Sequence, residues 1–237
     1  VLSSEIHNGL AFFLDHLPPS LTLVVATRAD PPLPMAGLRA KGELVELRQQ
    51  DLRFSQPETA AFLCDVMDLD LNAEDIQALE KLTEGWAAGL QMAGLSMQQR
   101  KDKGEFLKSF SGSHRYIMDY LIEEVLSRQT EEIQNFLLQT SILERISSPL
   151  CDAVFGFQKG SGSGGGLALQ SGMNSQTILE HLEASNLFIT PLDEHRAWYR
   201  YHRLFADLLR KQLAQRQPEL VPELHHRASC LLYTSDA

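Results

Sequence analysis

The spacing of apolar residues changes near Ser55. From that residue onward they recur every three to four positions, as they do along amphipathic helices. The pattern changes to that of strands at Leu187–Leu192 and Ala197–Tyr201, which flank the turn-prone residues 193–196. Such an arrangement predicts a β-hairpin. Because helices followed by a two-stranded hairpin are the sequence form of a winged helix, we expect a mainly α fold that contains a winged-helix domain.

Residues that cap helices mark the boundaries inside this region. Ser55 and Glu58, three positions apart, form a capping-box pair. Asn72 and Thr130 also suit helix N-termini, and Gly85 suits the end of the helix that Asn72 begins. The periodicity predicts further helices from Trp86 toward Lys101, from Ser113 to Arg128, from Ser175 to Ser185 and from His202 to Arg216, with others starting near Ser147 and Val221.

Residues 1–50 have a different pattern, that of a small α/β piece. A helical stripe from Ile6 to Leu17 ends at a pair of prolines, and a short helix is expected at Met35 to Lys41. The almost uniformly apolar run Leu21–Thr27 is typical of a strand buried on both faces of a parallel sheet, and Glu43–Leu47 alternates like a second strand. This is too little for a complete α/β domain, so we expect the apolar faces of both strands to be exposed.

The composition argues against several classes of protein. Of the 237 residues, 43% are hydrophobic and 22% are charged, as in ordinary soluble domains, and no apolar run reaches the length of a membrane helix. Asp and Glu outnumber Lys and Arg by 31 to 21, which disfavours non-specific binding to nucleic acid. The three cysteines are far apart and form no metal-ligand spacing, so free thiols in a reducing cytoplasm fit best.

Several segments resemble, in this order, the MalT-like regulators of the LuxR class of transcription factors, whose motors are STAND-type ATPases. The resemblance covers about residues 1–229 and is specific as an ordered set. The segments are residues 23–34 (LVVATRADPPLP), 38–48 (LRAKGELVELR), 83–91 (TEGWAAGLQ), 114–116 (HRY), 186–188 (NLF) and 198–205 (WYRYHRLF).

The order of domains in this family implies that the chain is an internal fragment. It would contain the C-terminal part of a P-loop ATPase domain, a helical domain, a winged-helix domain and the start of a helical-repeat sensor. The corresponding ranges are residues 1–50, 51–111, 112–216 and 217–229. The motif G-x-x-x-x-G-K-[ST] and an acidic Walker B pair are both absent from the sequence, so this chain alone is not expected to hydrolyse ATP.

The resemblance implies an ATP-dependent, inducer-responsive activator of transcription. ADP would hold the protein closed, and inducer together with ATP would release it for self-association. Mg²⁺ would accompany the nucleotide in the full-length protein, and the inducer and promoter DNA would bind to regions outside this chain. A helical protein-interaction scaffold without nucleotide dependence is the alternative.

Two segments stand apart from this pattern. Residues 159–166 consist almost entirely of glycine and serine, which predicts a flexible surface loop; a natural insertion is favoured over an expression linker. Residues 230–237 depart from the family pattern. They match what a transposase-adaptor sequence used in DNA library preparation would encode, so we expect read-through, with an ordinary terminal segment as the alternative.

Four residues are candidates for nucleotide binding on the basis of the resemblance. Arg28 follows the predicted strand at the position of a sensor arginine, where its guanidinium could pair with the γ-phosphate. The alternative is a surface salt bridge. Gly85 and Trp86 match the position of the G-x-P motif beside the adenine, although Ala87 replaces the proline. Trp86 could equally be a core anchor at a helix start.

His202 is the fourth candidate. It lies where the second hairpin strand enters the last winged-helix helix, and a histidine of related ATPases contacts the β-phosphate there. A capping or core histidine is the favoured alternative.

Other patterns support no site. His225 and His226 are adjacent, so on a helix they point about 100° apart, and no further ligand joins them. The nucleophile-elbow motif of hydrolases is absent from the sequence. The winged helix is locally basic, but the acidic chain and the family's use of this domain as a clamp argue against DNA reading; the basic residues are Arg200, Arg203, Arg210 and Lys211.

Overall fold

The computed structural model describes residues 4–27, 30–98, 106–107, 110, 115–155 and 174–235. The chain divides into two compact units. The first comprises Val1–Leu52 with Ala184–Asn186, and the second comprises Arg53–Glu183 with Leu187–Ala237.

The first unit contains two helices, α1 (Ser4–Asp15) and α2 (Met35–Lys41). Both were expected from the sequence. The end of α2 is capped by Gly42, whose φ of 70° places it in the left-handed region that glycine tolerates best. None of the described residues between 4 and 52 is buried, so this unit has no core of its own within the part of the chain that the structure describes.

The two strands predicted in this unit are not formed. Leu21–Thr27 and Glu43–Leu47 run through irregular backbone, so the prediction that they form strands is wrong. Val24 is 85% exposed and Val45 is 87% exposed, so the expected exposure of their apolar faces is confirmed. A strand requires a neighbouring strand to pair with, and the described residues of the unit contain no strand. Arg28 lies outside the described residues.

The second unit is predominantly helical. The helices that end at Ala60 and Tyr120 each continue for a turn with π-helical hydrogen bonds, at Ala61–Val66 and Leu121–Leu126. Its helices are α3 (Gln56–Ala60), α4 (Ala73–Thr83), α5 (Ala87–Gln98), α6 (Arg115–Tyr120), α7 (Glu131–Thr140), α8 (Ser148–Phe155), α9 (Ser175–Ala184), α10 (Arg203–Arg216) and α11 (Leu220–Ser235).

The predicted caps are confirmed. The backbone N–H of Ser55 donates to the Glu58 carboxylate at 2.8 Å. The side chain of Asn72 accepts from the Asp75 N–H at 2.9 Å, which satisfies one of the unpaired donors at the start of α4. Thr130 accepts from the Ile133 N–H in the same way, at 3.4 Å.

The predicted hairpin is also confirmed. Strands β1 (Ile189–Pro191) and β2 (Tyr199–Tyr201) pair antiparallel, with Thr190 opposite Arg200. The turn between them is held by Asp193, whose carboxylate accepts from the backbone N–H groups of Ala197 and Trp198 at 3.1 and 2.7 Å. Because side chains alternate along a strand, Tyr199 and Tyr201 point into the core while Arg200 points to the opposite face.

A continuous apolar core lies beneath the hairpin and the helices around it. Phe136 of α7 and Phe205 of α10 are fully buried, as is Tyr199 of β2. The hydroxyls of Thr140 and Tyr201 lie 2.7 Å apart, so these buried polar groups satisfy one another. Among the helices of the described residues, none combines the length and apolar character needed to cross a membrane. The Gly/Ser-rich stretch 159–166 lies outside the described residues.

Candidate functional site

Three of the four candidate residues come together in the second unit. Gly85 and Trp86 form the turn between α4 and α5, and His202 is the residue that precedes α10. We call residues Thr83–Trp86 the α4–α5 turn. Arg28, the fourth candidate, lies outside the described residues.

Gly85 is required at its position for two reasons. Its φ is +70°, a conformation that residues with a side chain rarely adopt. A Cβ atom there would lie 2.4 Å from the carbonyl oxygen of Phe54, which is closer than two such atoms can approach. The approach is tight because the Phe54 N–H donates to the Gly85 carbonyl at 2.8 Å. The segment before α3 therefore holds the α4–α5 turn in place.

Trp86 belongs to an aromatic cluster and is half-buried. Its ring meets Phe188 edge to face at 5.1 Å, and it lies 5.7 Å from the ring of Tyr120. The ring of His202 is 6.0 Å away, also edge to face. The absence of a side chain at Gly89 makes room for the indole, because a Cβ there would lie 2.7 Å from it. Trp86 thus anchors α5 while the residue stays partly exposed.

His202 is 1% exposed and bridges the winged helix to the α4–α5 turn. Its Nε2 lies 2.9 Å from the carbonyl oxygen of Thr83. A carbonyl oxygen only accepts, so Nε2 carries the proton and Nδ1 presents a lone pair. Nδ1 is buried and has no hydrogen-bond partner among the described residues. Burial lowers the pKa of His202, against the opposing influence of Glu84, so the ring is neutral at pH 7.

Glu84 is the residue of this site that the sequence analysis missed. Its carboxylate accepts two hydrogen bonds from the guanidinium of Arg200, both at 2.8 Å, and one from the backbone N–H of Arg203 at 3.1 Å. Arg53 approaches the same carboxylate at 3.5 Å. Burial alone would raise the pKa of Glu84, but the hydrogen bonds from Arg200 and the nearby positive charges lower it to about 2.

A signal for Glu84 was present in the sequence. A carboxylate at the C-terminal end of a helix faces the negative end of the helix dipole, which is unfavourable unless a cation compensates. Glu84 occupies that position after α4, and its φ of +51° is itself uncommon for a residue with a side chain. Arg200, on the outward face of β2, is the compensating cation.

An open cleft of about 350 Å³ lies beside this cluster. Three cations and two carboxylates line it together with Phe54, so it is polar and of mixed charge. The charged residues are Arg53, Glu80, Lys81, Glu84 and Arg200.

Other candidate chemistry finds less support in the described residues. They contain no group of three or more His, Cys, Asp or Glu side chains placed to hold a metal ion. Two of the basic residues of the winged helix are engaged within the fold, because Arg200 pairs with Glu84 and the Nε of Arg210 donates to the Ser141 carbonyl at 2.8 Å.

The helices and the hairpin that precedes α10 are consistent with a winged-helix domain. Comparison with known families agrees with this class, since residues 122–221 match the MalT winged helix domain. The MalT transcriptional regulators are homologues of this chain, which confirms the resemblance noted in the sequence.

Curated relatives match nearly the whole chain. The HTH-type transcriptional regulator MalT of Vibrio campbellii is 32% identical over 231 residues, which is 97% of this chain and 24% of the regulator. MalT of Yersinia enterocolitica is 33% identical over 233 residues, with the same two shares. The serine/threonine-protein kinase PknK of Mycobacterium tuberculosis H37Rv is 34% identical over 229 residues, which is 97% of this chain and 19% of the kinase. The chain therefore spans about a fifth to a quarter of the length of these relatives.

Proposed function

We propose that this chain is the regulatory core of an ATP-dependent, inducer-responsive activator of transcription. In this proposal residues 1–50 are the end of a P-loop ATPase domain of the STAND type. ADP binds at the winged helix in the resting state and holds the protein closed. Inducer and ATP release the protein from this closed state. The release allows self-association, and it allows parts of the protein beyond this chain to bind the promoter. Mg²⁺ accompanies the nucleotide.

The observation that carries this proposal is the buried, unpartnered Nδ1 of His202 beside the α4–α5 turn. Buried polar atoms are nearly always hydrogen-bonded, and an orphan atom is therefore explained well by a ligand. The half-buried indole of Trp86 offers an aromatic surface on which a purine can pack. The histidine and the indole lie close enough for one nucleotide to meet both, since their rings are 6.0 Å apart.

The tautomer of His202 has a consequence for this chemistry. A phosphate oxygen only accepts hydrogen bonds, whereas Nδ1 of the neutral ring presents a lone pair. Direct contact with a phosphate therefore requires His202 to take up a proton, which the negative charge of the phosphate favours. Burial lowers the pKa of His202 in the free protein, so we expect the affinity for ADP to rise as the pH falls below about 6.5, the ordinary pKa of histidine, toward that lowered pKa.

The test uses the complete open reading frame. ADP and ATP are titrated calorimetrically into the wild-type protein, His202→Gln and Arg28→Ala at several pH values. His202→Gln should abolish the pH dependence of ADP binding, whereas the matched variant of an exposed histidine, His225→Gln, should leave it intact. If ADP binding depended equally on pH in the wild-type protein, His202→Gln and His225→Gln, the role of His202 would be refuted.

Arg28 is tested in the same titrations. If its guanidinium contacts the γ-phosphate, Arg28→Ala weakens ATP binding about 10- to 150-fold, the range expected for one charged hydrogen bond, and affects ADP little. Parallel losses for both nucleotides would leave Arg28 as a structural residue at the end of its segment.

The similarity to PknK favours a second candidate output. Proteins named as transcriptional regulators and a protein named as a kinase both contain a region like this chain. The region could therefore regulate a kinase instead of a DNA-binding domain. The sequences that flank the chain in its gene decide this point. They also decide between a switch and a scaffold without nucleotide dependence, because a Walker A motif upstream supports the switch.

A further inference from the structure

The carboxylate of Glu84 connects three elements of the second unit at one point. It lies at the end of α4, and it accepts hydrogen bonds from Arg200 on β2 and from the first backbone N–H of α10. The contact from Arg53, in the segment before α3, is longer at 3.5 Å. We refer to Glu84, Arg200 and the Arg203 N–H as the Glu84 clasp.

The clasp surrounds the hydrogen bond of His202. Thr83, which accepts from Nε2 of His202, directly precedes Glu84, and His202 lies between Arg200 and Arg203 in the chain. The clasp therefore fixes both partners of the histidine bond from the next residue along the chain. The contact between Arg200 and Glu84 is directional, because two parallel N–H···O bonds from a guanidinium permit only one orientation of the carboxylate.

The clasp also opposes two local costs. A residue with a side chain is sterically disfavoured in the left-handed region, and a carboxylate at a helix C-terminus is unfavourable. Glu84 has both features, with a φ of +51° at the end of α4. Such a conformation persists where surrounding contacts determine it, and strained positions of this kind cluster at switch regions and ligand sites.

We propose that Glu84 is a positioning residue: it holds His202 and the Gly85–Trp86 turn in a single geometry, and release of its clasp with Arg200 frees the turn from the winged helix. The proposal deepens the proposed function, on which its relevance to nucleotide rests. A switch that ADP holds closed needs an element with two arrangements, and the clasp, together with the His202 bond that it positions, joins the two sides of the site.

The experiment uses Trp86 as a reporter in this chain. The sequence has two tryptophans, and Trp198→Phe leaves Trp86 as the only one. In that background Glu84→Gln should shift the Trp86 emission to longer wavelength and increase its quenching by acrylamide. The unfolding equilibrium constant should rise about 10-fold, the low end expected for charged hydrogen bonds, because Arg200 is partly exposed.

A double-mutant cycle identifies the partner. Glu84→Gln, Arg200→Gln and the double variant should show strong coupling, with the double variant losing little more than either single one. The matched control is Glu124→Gln, which removes an exposed ion pair between Glu124, in the π-helical extension of α6, and Arg128, in the turn that follows it. It should leave the Trp86 emission unchanged. Additive losses at Glu84 and Arg200 would overturn the clasp.

A second readout separates positioning from general stabilisation. The nitrogen shifts of His202 report its tautomer in the native state, and His202→Gln assigns the signals. Glu84→Gln should convert the single Nε2–H tautomer into a mixture, while Glu124→Gln should not. An unchanged tautomer in Glu84→Gln would overturn the positioning role even if that variant were less stable.

Failure of the proposed function has a different signature. The fluorescence and tautomer measurements involve no nucleotide, so a full-length protein that binds neither ADP nor ATP leaves the clasp intact. If the full-length protein binds ADP through His202, Glu84→Gln should weaken that binding as well. An ADP affinity that changes in His202→Gln but not in Glu84→Gln would overturn the positioning role alone.

Discussion

The two units of the chain treat equally apolar segments in opposite ways. Val24 and Val45 in the first unit are 85% and 87% exposed, although both belong to runs that are typical of buried strands. In the second unit Phe136 and Leu137 are completely buried within α7, which packs against α10. Burial stabilises an apolar run, but the run is buried only where other elements of the fold pack against it.

The same contrast holds for backbone geometry. Gly42 and Gly85 both have a φ of +70°, and both follow a helix. Gly42 has no heavy atom within 4 Å of the place where a Cβ would lie, whereas Gly85 has the Phe54 carbonyl oxygen at 2.4 Å. The first glycine satisfies a local requirement of the chain, and the second also satisfies a requirement of tertiary packing.

Truncation of core side chains should show the difference most strongly. Phe136→Ala removes a fully buried ring and is expected to destabilise the second unit by about 3–5 kcal/mol. Val24→Ala, at an exposed position, should change stability by less than about 0.5 kcal/mol. Urea unfolding followed by tryptophan fluorescence measures the second unit, since Trp86 and Trp198 both belong to it. Similar small losses in both variants would contradict the described core.

Substitution of the two glycines compares local and tertiary strain. Gly42→Ala should cost about 1–2 kcal/mol in its own unit, the ordinary penalty for a left-handed alanine. Gly85→Ala should cost the second unit more than about 2 kcal/mol, because the same penalty is joined by a clash with backbone that cannot move aside. Thermal melts of both variants check this order, and equal shifts would mean that the Phe54 segment yields easily.

Much of the second unit could be predicted from sequence because its signals are local. Capping residues such as Ser55 and Thr130 bond to groups three positions away, and the hairpin turn is closed by Asp193 within five positions. The predicted strand Leu21–Thr27 failed because strand formation depends on partners elsewhere in the chain. Local pattern indicated its apolar character correctly and could not indicate what would cover it.

The candidate site shows the same division. Gly85, Trp86 and His202 were singled out from the resemblance, but their proximity depends on contacts between residues more than a hundred positions apart. The local pattern around Glu84 does not reveal its role, because its partner Arg200 is 116 positions away in the sequence. Arg28 lies outside the described residues, so its role stays a prediction.

The stability of the second unit should depend on pH through His202, the only buried histidine among the described residues. Burial lowers its pKa in the folded state, so between the folded and the ordinary value the unfolded chain binds a proton that the folded chain does not. Stability is then fully present above about pH 6.5 and is lost as the pH falls through the folded pKa. Urea midpoints measured across this range should decline in the wild-type chain.

The control for this effect is His202→Gln, which should flatten the decline, whereas His225→Gln should retain it because His225 is exposed.

A second decline in stability is expected at lower pH. The pKa of Glu84 is about 2 in the folded state, so its contribution is present above the ordinary value of about 4.3 and is lost as the pH falls toward 2. Glu84→Gln should lack this acid limb and keep the one due to His202.

Removal of the first unit should change the stability of the second unit least and should increase solubility strongly. Removal of residues 1–52 deletes every described residue of the first unit except Ala184–Asn186, together with its exposed apolar segments. Unpaired extended segments of this kind promote association between chains, so the shortened protein should remain monomeric at higher concentration. Its tryptophan-detected unfolding midpoint should stay close to that of the full chain, because the core of the second unit is untouched.

Val24→Lys in the full chain should improve solubility in the same direction without a deletion, since a charge blocks edge-to-edge pairing. Light scattering and sedimentation at matched concentrations measure both variants. If the complete chain is monomeric and no less soluble than the shortened one, these apolar segments are covered in solution, and the contrast between the two units is smaller than their exposure indicates.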